Sequence, residues 1–289
     1  MSAPGSSTQA HPELYTSESS RTAQRFAFGE NWRRFLSILD ETRIRAAEAS
    51  LLDLLGRERL DGLRVLDIGS GSGLFSLAFR RLGATVHSFD YDAESVACTG
   101  ELRRRFHADD PAWVVERGSV LDSEYLKRLG TFDVVYSWGV LHHTGAMWQA
   151  IENAAGLVAP GGTLAIALYN RQRLLTPLWS AVKRTYVRLP KPCRPLLVWP
   201  YLLYAGLASA GADVLRGRAP WSRWRVHGHR GMSLYHDARD WVGGWPFEAA
   251  TPAAVRAFIE ARGLLLRRLK PVGWRHGCNE FAFVRSVAC

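Results

Sequence analysis

The segment Val65-Leu66-Asp67-Ile68-Gly69-Ser70-Gly71-Ser72-Gly73 carries the most chemically suggestive spacing in the chain. Three alternating glycines after an apolar run allow a tight turn and a close approach of backbone to a bound molecule. Glycine loops also bind dinucleotides, but that motif, G-x-G-x-x-G, needs a third glycine at the position of Leu74. Asp67, two positions before the first glycine, would repel a pyrophosphate and attract a cation. The loop therefore points to a ligand with a cationic part.

A second group follows another apolar run: Val140-Leu141-His142-His143. An imidazole titrates near neutrality and can take a proton from a hydroxyl. The same two residues could instead cap a helix and pack beneath the ligand. A third group, Tyr235 to Glu248, is dense in polar and aromatic residues, and its His236, Asp237 and Asp240 could hold a base or a metal. Loop capping and salt bridging would use the same residues. Arg275, His276, Asn279 and Glu280 form a last polar turn. The four cysteines have no C-x-x-C pairing, which indicates neither a zinc site nor a disulfide framework and suits a reducing cytoplasm.

These residues need elements to position them. Phe26 to Leu55 has apolar residues at helical spacing, predicting one or two N-terminal helices. Strand and helix patterns then alternate: strands at Leu63 to Ile68, Thr85 to Asp90, Trp113 to Gly118, Phe132 to Trp138 and Thr163 to Tyr169, with helices at Gly73 to Leu82, Ala93 to Phe106, Ser123 to Leu129 and Ala146 to Val158. Such alternation predicts an α/β fold, a doubly wound and mostly parallel sheet with helices on both faces. The pattern resumes with a helix at Thr251 to Arg262 and strands at Leu264 to Leu269 and Glu280 to Val287. The short turn between those strands predicts antiparallel pairing. Residues 1–24 lack apolar periodicity and a secretory core, and read as a disordered tail.

In this order the segments resemble the motifs of class I S-adenosylmethionine-dependent methyltransferases, a Rossmann-like class, across residues 63–169. The resemblance implies S-adenosylmethionine as cofactor, with Asp67, Gly69, Ser70, Gly71 and Gly73 around its methionine part. Asp90, closing its strand, resembles the acidic residue that accepts both ribose hydroxyl hydrogen bonds; a carboxylate offers enough acceptors for two donors. Tyr91 would lie against the adenine, Asp122 would receive the adenine amino group, and Trp138 would close the fourth-strand motif. The pattern is most similar to the ubiquinone-pathway O-methyltransferases, whose corresponding segment carries Glu-His and a metal site. His142 stands at the Glu position, so no metal is expected here, and His142, His143 and His236 become the candidate bases. The N-terminal cluster Phe26 to Trp32 matches a segment that often folds over the donor site in this class.

The formal net charge of +10 is local: twelve basic residues and one acidic residue, Asp213, fall within 171–230, leaving the rest near neutral. Those residues belong to an insertion, 171–250, between the fifth strand and the helix at Thr251. It opens with a basic amphipathic stretch whose Leu174, Leu175, Leu178, Trp179, Val182, Tyr186 and Val187 share a face. An uncharged run, Pro195 to Ala212, follows and is interrupted by Pro200; Trp221, Arg223, Trp224 and Arg225 close the cluster. Apolar face, basic flanks and interfacial aromatics suit an anionic membrane surface. They equally suit a lid over an apolar substrate, or a helical subdomain with a solvated basic side. The uncharged run is short for a membrane span and contains a proline. Arg interleaved with aromatics can also stack on bases, although the apolar run argues against nucleic acid. The expected reaction is O-methylation of a hydrophobic or amphipathic small molecule; N- or C-methylation, or RNA methylation through the basic insertion, are the alternatives.

Overall fold

The computed structural model describes residues 26, 28–173, 175–220, 234–273 and 277–287. Two helices, α1 (Phe28–Leu36) and α2 (Glu41–Leu55), precede strands β1 (Arg64–Ile68), β2 (Thr85–Asp90), β3 (Trp113–Arg117), β4 (Phe132–Trp138) and β5 (Val158–Tyr169). Helices α3 (Leu74–Arg81), α4 (Ala93–Phe106), α5 (Ser123–Leu129) and α6 (Met147–Gly156) fill the crossovers. After β5 come α7 (Leu175–Arg188), α8 (Pro195–Val214), α9 (Leu234–Gly243) and α10 (Pro252–Glu260), then β6 (Leu264–Lys270) and β7 (Cys278–Arg285). The strands form one seven-stranded sheet, β3-β2-β1-β4-β5-β7-β6. Strands β1 to β5 are parallel, and β7 runs antiparallel between β5 and β6.

Strand order reverses between β1 and β4, and the carboxyl ends of strands at such a switch leave a crevice for ligands. Successive residues serve opposite faces. Leu66, Ile68, Val135, Leu164 and Ile166 pack one side with α6 and α10; Val65, Val134, Tyr136 and Ala165 pack the other with α2 and α3. Burial on both faces is why these strands read as apolar runs.

Two local expectations are corrected. Helix α6 ends at Gly156, and β5 already begins at Val158, paired with Phe132, where the sequence suggested helix through Val158. The strand bulges before regaining register at Val134–Thr163. Gly162 makes this possible, since a Cβ there would lie 2.8–3.0 Å from three backbone oxygens. Pro200 does not interrupt its run: α8 continues through it. It removes one hydrogen bond near the helix start, where exposure leaves the freed carbonyl to water.

Helices α7, α8 and α9 build a third apolar cluster from Tyr186, Val187, Val198, Val242 and Trp245, joined by Phe26 from before α1. Phe26 donates its backbone N–H to the Trp245 carbonyl (3.1 Å), and a Cβ on Gly243 would lie 2.4 Å from its ring. The basic side of this cap is not wholly solvated. Lys183 is fully buried, because it shares the inward stripe of Trp179, Val182, Tyr186 and Val187 at i, i+3 and i+4 spacing.

Candidate active site

The glycine loop lies at the carboxyl end of β1, and each glycine is required by a different neighbour. Gly69, Gly71 and Gly73 have φ of 77°, 56° and 81°. A Cβ on Gly69 would stand 2.5 Å from Val140, one on Gly71 2.9 Å from the Trp32 indole nitrogen, and one on Gly73 2.8 Å from Thr99 Cα. The loop is thus cradled by the turn after β4, by α1 and by α4. The Ser70 and Thr99 hydroxyls lie 2.9 Å apart, and the N–H groups of Gly69 and Ser70 both donate to the Phe89 carbonyl. Helix α1 is strapped across this end: Gly29 N–H donates to Asp92 Oδ2 (2.9 Å), and Arg33 pairs with Glu94 (3.2 Å).

Asp67 is buried beneath the loop. Its Oδ2 accepts from Ser76 Oγ (2.5 Å), which accepts from Ser88 Oγ (2.8 Å), which accepts from the Trp113 indole N–H (3.0 Å). Burial pushes its carboxyl up to about 7; the Ser76 bond opposes this and the Asp90 charge adds to it. Asp90 is half-buried at the end of β2, with Oδ2 accepting from Gly71 N–H (3.0 Å) and Oδ1 from Asp92 N–H (2.9 Å). Burial raises it to about 6 against those two backbone bonds. Each oxygen keeps a second lone pair, so two vicinal hydroxyls can still be received.

Tyr91 is exposed beside Asp90, with the Arg117 guanidinium 5.8 Å from its ring centroid. Asp122 caps α5, its Oδ1 accepting from the N–H groups of Glu124 and Tyr125. Trp138 shares a register row with Ala167 and Glu280, and its indole N–H reaches over the small Ala167 to Glu280 Oε1 (3.2 Å).

Beyond Val140, which packs against Gly69, the chain makes one 3₁₀ turn, Leu141–His143, that carries both histidines. His143 Nδ1 lies 2.6 Å from the Pro246 carbonyl. A carbonyl only accepts, so Nδ1 carries the hydrogen and Nε2 the lone pair. Burial and the Lys183 ammonium push its pKa down to about 3, opposed by the Pro246 bond. His142 has the opposite tautomer: Nδ1 accepts from Tyr169 N–H (3.4 Å), making Nε2 a donor, buried with no partner among the described residues. Burial, then His143 and Lys183, hold its pKa well below the ordinary imidazole value. The Tyr169 ring lies 4.0 Å from the His142 ring at a 35° tilt, and the Phe28 ring 5.2 Å from that of His143.

Lys183 is the residue that sequence reasoning missed. Its Nζ donates to the Trp241 carbonyl and lies 5.2, 4.8 and 4.8 Å from the centroids of the Tyr169, Trp241 and Phe247 rings. Its signal was the spacing that puts it on the apolar stripe of α7. His236 falls within α9, but its side chain, like those of Asp237 and Asp240, lies outside the described residues, as do Arg275, His276, Trp221, Arg223, Trp224 and Arg225. Among the described residues no group of three or more His, Cys, Asp or Glu is placed to hold a metal ion.

A glycine cradle at a strand-order switch, with a carboxylate closing the neighbouring strand, defines a Rossmann-like methyltransferase fold. A model of the family described as methyltransferase domain matches residues 39–240, and the chain belongs to that family. Its members take S-adenosylmethionine as methyl donor, and the cradle and Asp90 fit that molecule. The chain is 34% identical over 112 residues to a ubiquinone biosynthesis O-methyltransferase of Rhodopseudomonas palustris, covering 39% of this chain and 42% of that protein. It is 30% identical over 158 residues to one from Rhizobium etli, covering 54% and 62%. The chain thus spans about half the length of the curated relatives it matches. Among solved structures, magnesium protoporphyrin IX methyltransferase from Synechocystis PCC 6803, with bound SAH, superimposes with a TM-score of 0.52 at 18% identity, covering 89% of this chain and 94% of that one. An O-methyltransferase family protein from Burkholderia thailandensis also gives 0.52, at 16% identity, covering 93% and 66%.

Proposed function

We propose that this protein methylates a hydroxyl group of a hydrophobic or amphipathic small molecule, with His143 as general base. The observation that carries this reading is the tautomer of His143, whose Nδ1 is committed to Pro246 and whose Nε2 keeps its lone pair, on the turn that follows Val140, the residue packed against Gly69 of the donor loop. When bound, the donor supplies an activated methyl whose transfer discharges its positive charge. His143 takes the acceptor's proton at Nε2 as the new O–C bond forms, and the Pro246 carbonyl at Nδ1 offsets part of the cost that burial and Lys183 place on the imidazolium. Its low basicity in the free protein keeps it neutral at working pH, while the nearby Lys183 charge favours a developing oxyanion. Phe28, Tyr169 and Trp241 supply apolar surroundings for the acceptor. Similarity to ubiquinone biosynthesis O-methyltransferases supports oxygen as the methylated atom.

The cap supports peripheral contact with a membrane by a cytoplasmic protein. Leu196, Trp199, Leu203 and Leu207, at i, i+3 and i+4 spacing on α8, are 72%, 65%, 66% and 59% exposed. Lys191 precedes this helix, and Arg216 and Arg218 follow it, all exposed. The stretch Lys191–Val214 is long and apolar enough to cross a bilayer by composition. Its other face, however, is held in the cap cluster through Val198, Tyr201 and Leu202, so we read it as lying in the interface. The double variant Trp199→Glu/Leu203→Glu is expected to lose about tenfold or more in co-sedimentation with phosphatidylglycerol vesicles, with unchanged affinity for S-adenosylmethionine. Equal sedimentation of variant and wild type would contradict the assignment.

The reaction is tested by incubating the protein with methyl-tritiated S-adenosylmethionine and either a bacterial lipid extract or bulk tRNA. Label in the organic phase of the first mixture is the expected result. Label in the tRNA instead would favour RNA methylation and overturn the reading.

A further inference from the structure

Glu248 belongs to no part of the donor site, yet it is largely buried, and burial raises its carboxyl above the ordinary range. Its two hydrogen bonds account for its placement. Oε2 accepts from Met147 N–H (2.9 Å), and its own N–H donates to the His142 carbonyl (3.0 Å). Helix α6 begins at Met147, and its N-cap residue, Ala146, has no side-chain acceptor for the free amides there. The carboxylate from a segment 101 residues away fills that role, where negative charge is also favoured by the helix dipole. The segment that carries Glu248 is thereby fastened at two points to the turn bearing both histidines. Two residues earlier on it lies Pro246, whose carbonyl receives His143 Nδ1.

We infer that Glu248 is a positioning residue for His143: by tying 246–248 to the 141–147 turn, it holds the Pro246 carbonyl where it fixes the Nδ1–H tautomer and leaves Nε2 as the base. The inference rests on the reading of His143 as base. On the other side of Pro246 the segment is held to the cap through Trp245, whose carbonyl accepts from Phe26 N–H (3.1 Å), and the next anchor after Glu248 is Ala250 N–H to the Tyr169 carbonyl (3.1 Å); between these two, the Glu248 carboxylate is the side-chain tie to the 141–147 turn. The groups that face His143 are His142 from its own turn, Tyr169 from β5, Phe28 from α1 and the Lys183 ammonium from α7. None of these four side chains carries a carbonyl to stand in for Pro246 at Nδ1–H.

The test is long-range ¹H–¹⁵N NMR of the imidazoles in the full chain, labelled at its nine histidines and saturated with S-adenosylhomocysteine. The His143 signals are assigned by their loss in His143→Asn. Wild type is expected to show His143 as the pure Nδ1–H tautomer. Glu248→Ala is expected to show a tautomer mixture at His143. Glu248→Gln, whose amide oxygen still accepts from Met147 N–H, is expected to restore the wild-type pattern. Glu248→Asp, with its carboxylate drawn back by one methylene, is expected to lose the pattern and replaces Glu248→Ala if that chain does not fold. An unchanged Nδ1–H tautomer in Glu248→Ala or Glu248→Asp, or loss of the pattern in Glu248→Gln, would overturn the inference. The base reading fails separately, through an undiminished methyl-transfer rate in His143→Asn.

Discussion

Asp90→Ala is expected to abolish S-adenosylmethionine binding in titration calorimetry. Hydrogen bonds to a charged group contribute about 1.5–3 kcal/mol each, so losing two weakens binding by roughly 10² to 10⁴-fold. The substitution also removes the acceptor for Gly71 N–H, loosening the cradle itself. Asp90→Asn, which keeps one acceptor oxygen, should fall between. The same carboxylate gives the affinity a pH dependence. In the free protein Asp90 titrates at about 6 and Asp67 at about 7, both above the ordinary carboxylate range through burial. Ribose hydroxyls and a cationic donor favour the ionised forms, so binding releases protons. Affinity should therefore rise with pH through 6 to 7, level off above that, and weaken as pH falls below 6. Asp90→Asn should lose the component near 6 and keep the one from Asp67, moved to lower pH because the Asp90 charge that helps raise it is gone. Unaltered affinity in Asp90→Ala would mean that the ribose lies elsewhere.

His143→Asn is expected to lower the methyl-transfer rate by about 10² to 10⁴-fold, the usual range for loss of a general base. Affinity for S-adenosylmethionine should stay within about twofold, since the residue that packs on the glycine loop is Val140, and His143, three residues on, is hydrogen-bonded to Pro246. With its pKa at about 3, wild-type His143 is neutral throughout the range where carboxylates titrate. The acidic limb of kcat/KM should accordingly follow the cofactor carboxylates near 6 to 7 and persist in the residual activity of His143→Asn. A limb near 6.5 that vanished with His143 would show that it titrates as an ordinary imidazole. A rate within threefold of wild type would remove it from the chemistry.

Much of the fold was legible because parallel strands buried on both faces are apolar runs, and their glycine and acidic endings are local in sequence. Asp67, the three glycines and Asp90 fall within 24 residues of one another, and the positive φ of each glycine is what their spacing suggests. The start of β5 was not legible, because Val158 joins the sheet only through pairing with Phe132, and a bulge hides that in sequence. Lys183 reads in the sequence only as one of the twelve basic residues of 171–230, since charge alone does not reveal three rings brought from β5 and from α9 and the loop after it. Asp122 shows the converse: its type suits an adenine contact, and the structure also gives it the N-cap of α5. The histidine pair could be located but not interpreted. Its opposite tautomers depend on Pro246 and Tyr169, 103 and 27 residues away.

The central claim, methylation at oxygen, is tested most directly by the carbon that is transferred. The protein is incubated with ¹³C-methyl S-adenosylmethionine and the lipid extract, and the organic phase is examined by ¹³C NMR. A new resonance at the shift of an O-methyl carbon, absent with Asp90→Ala, is the predicted result; a resonance at the shift of an N-methyl or C-methyl carbon would contradict it.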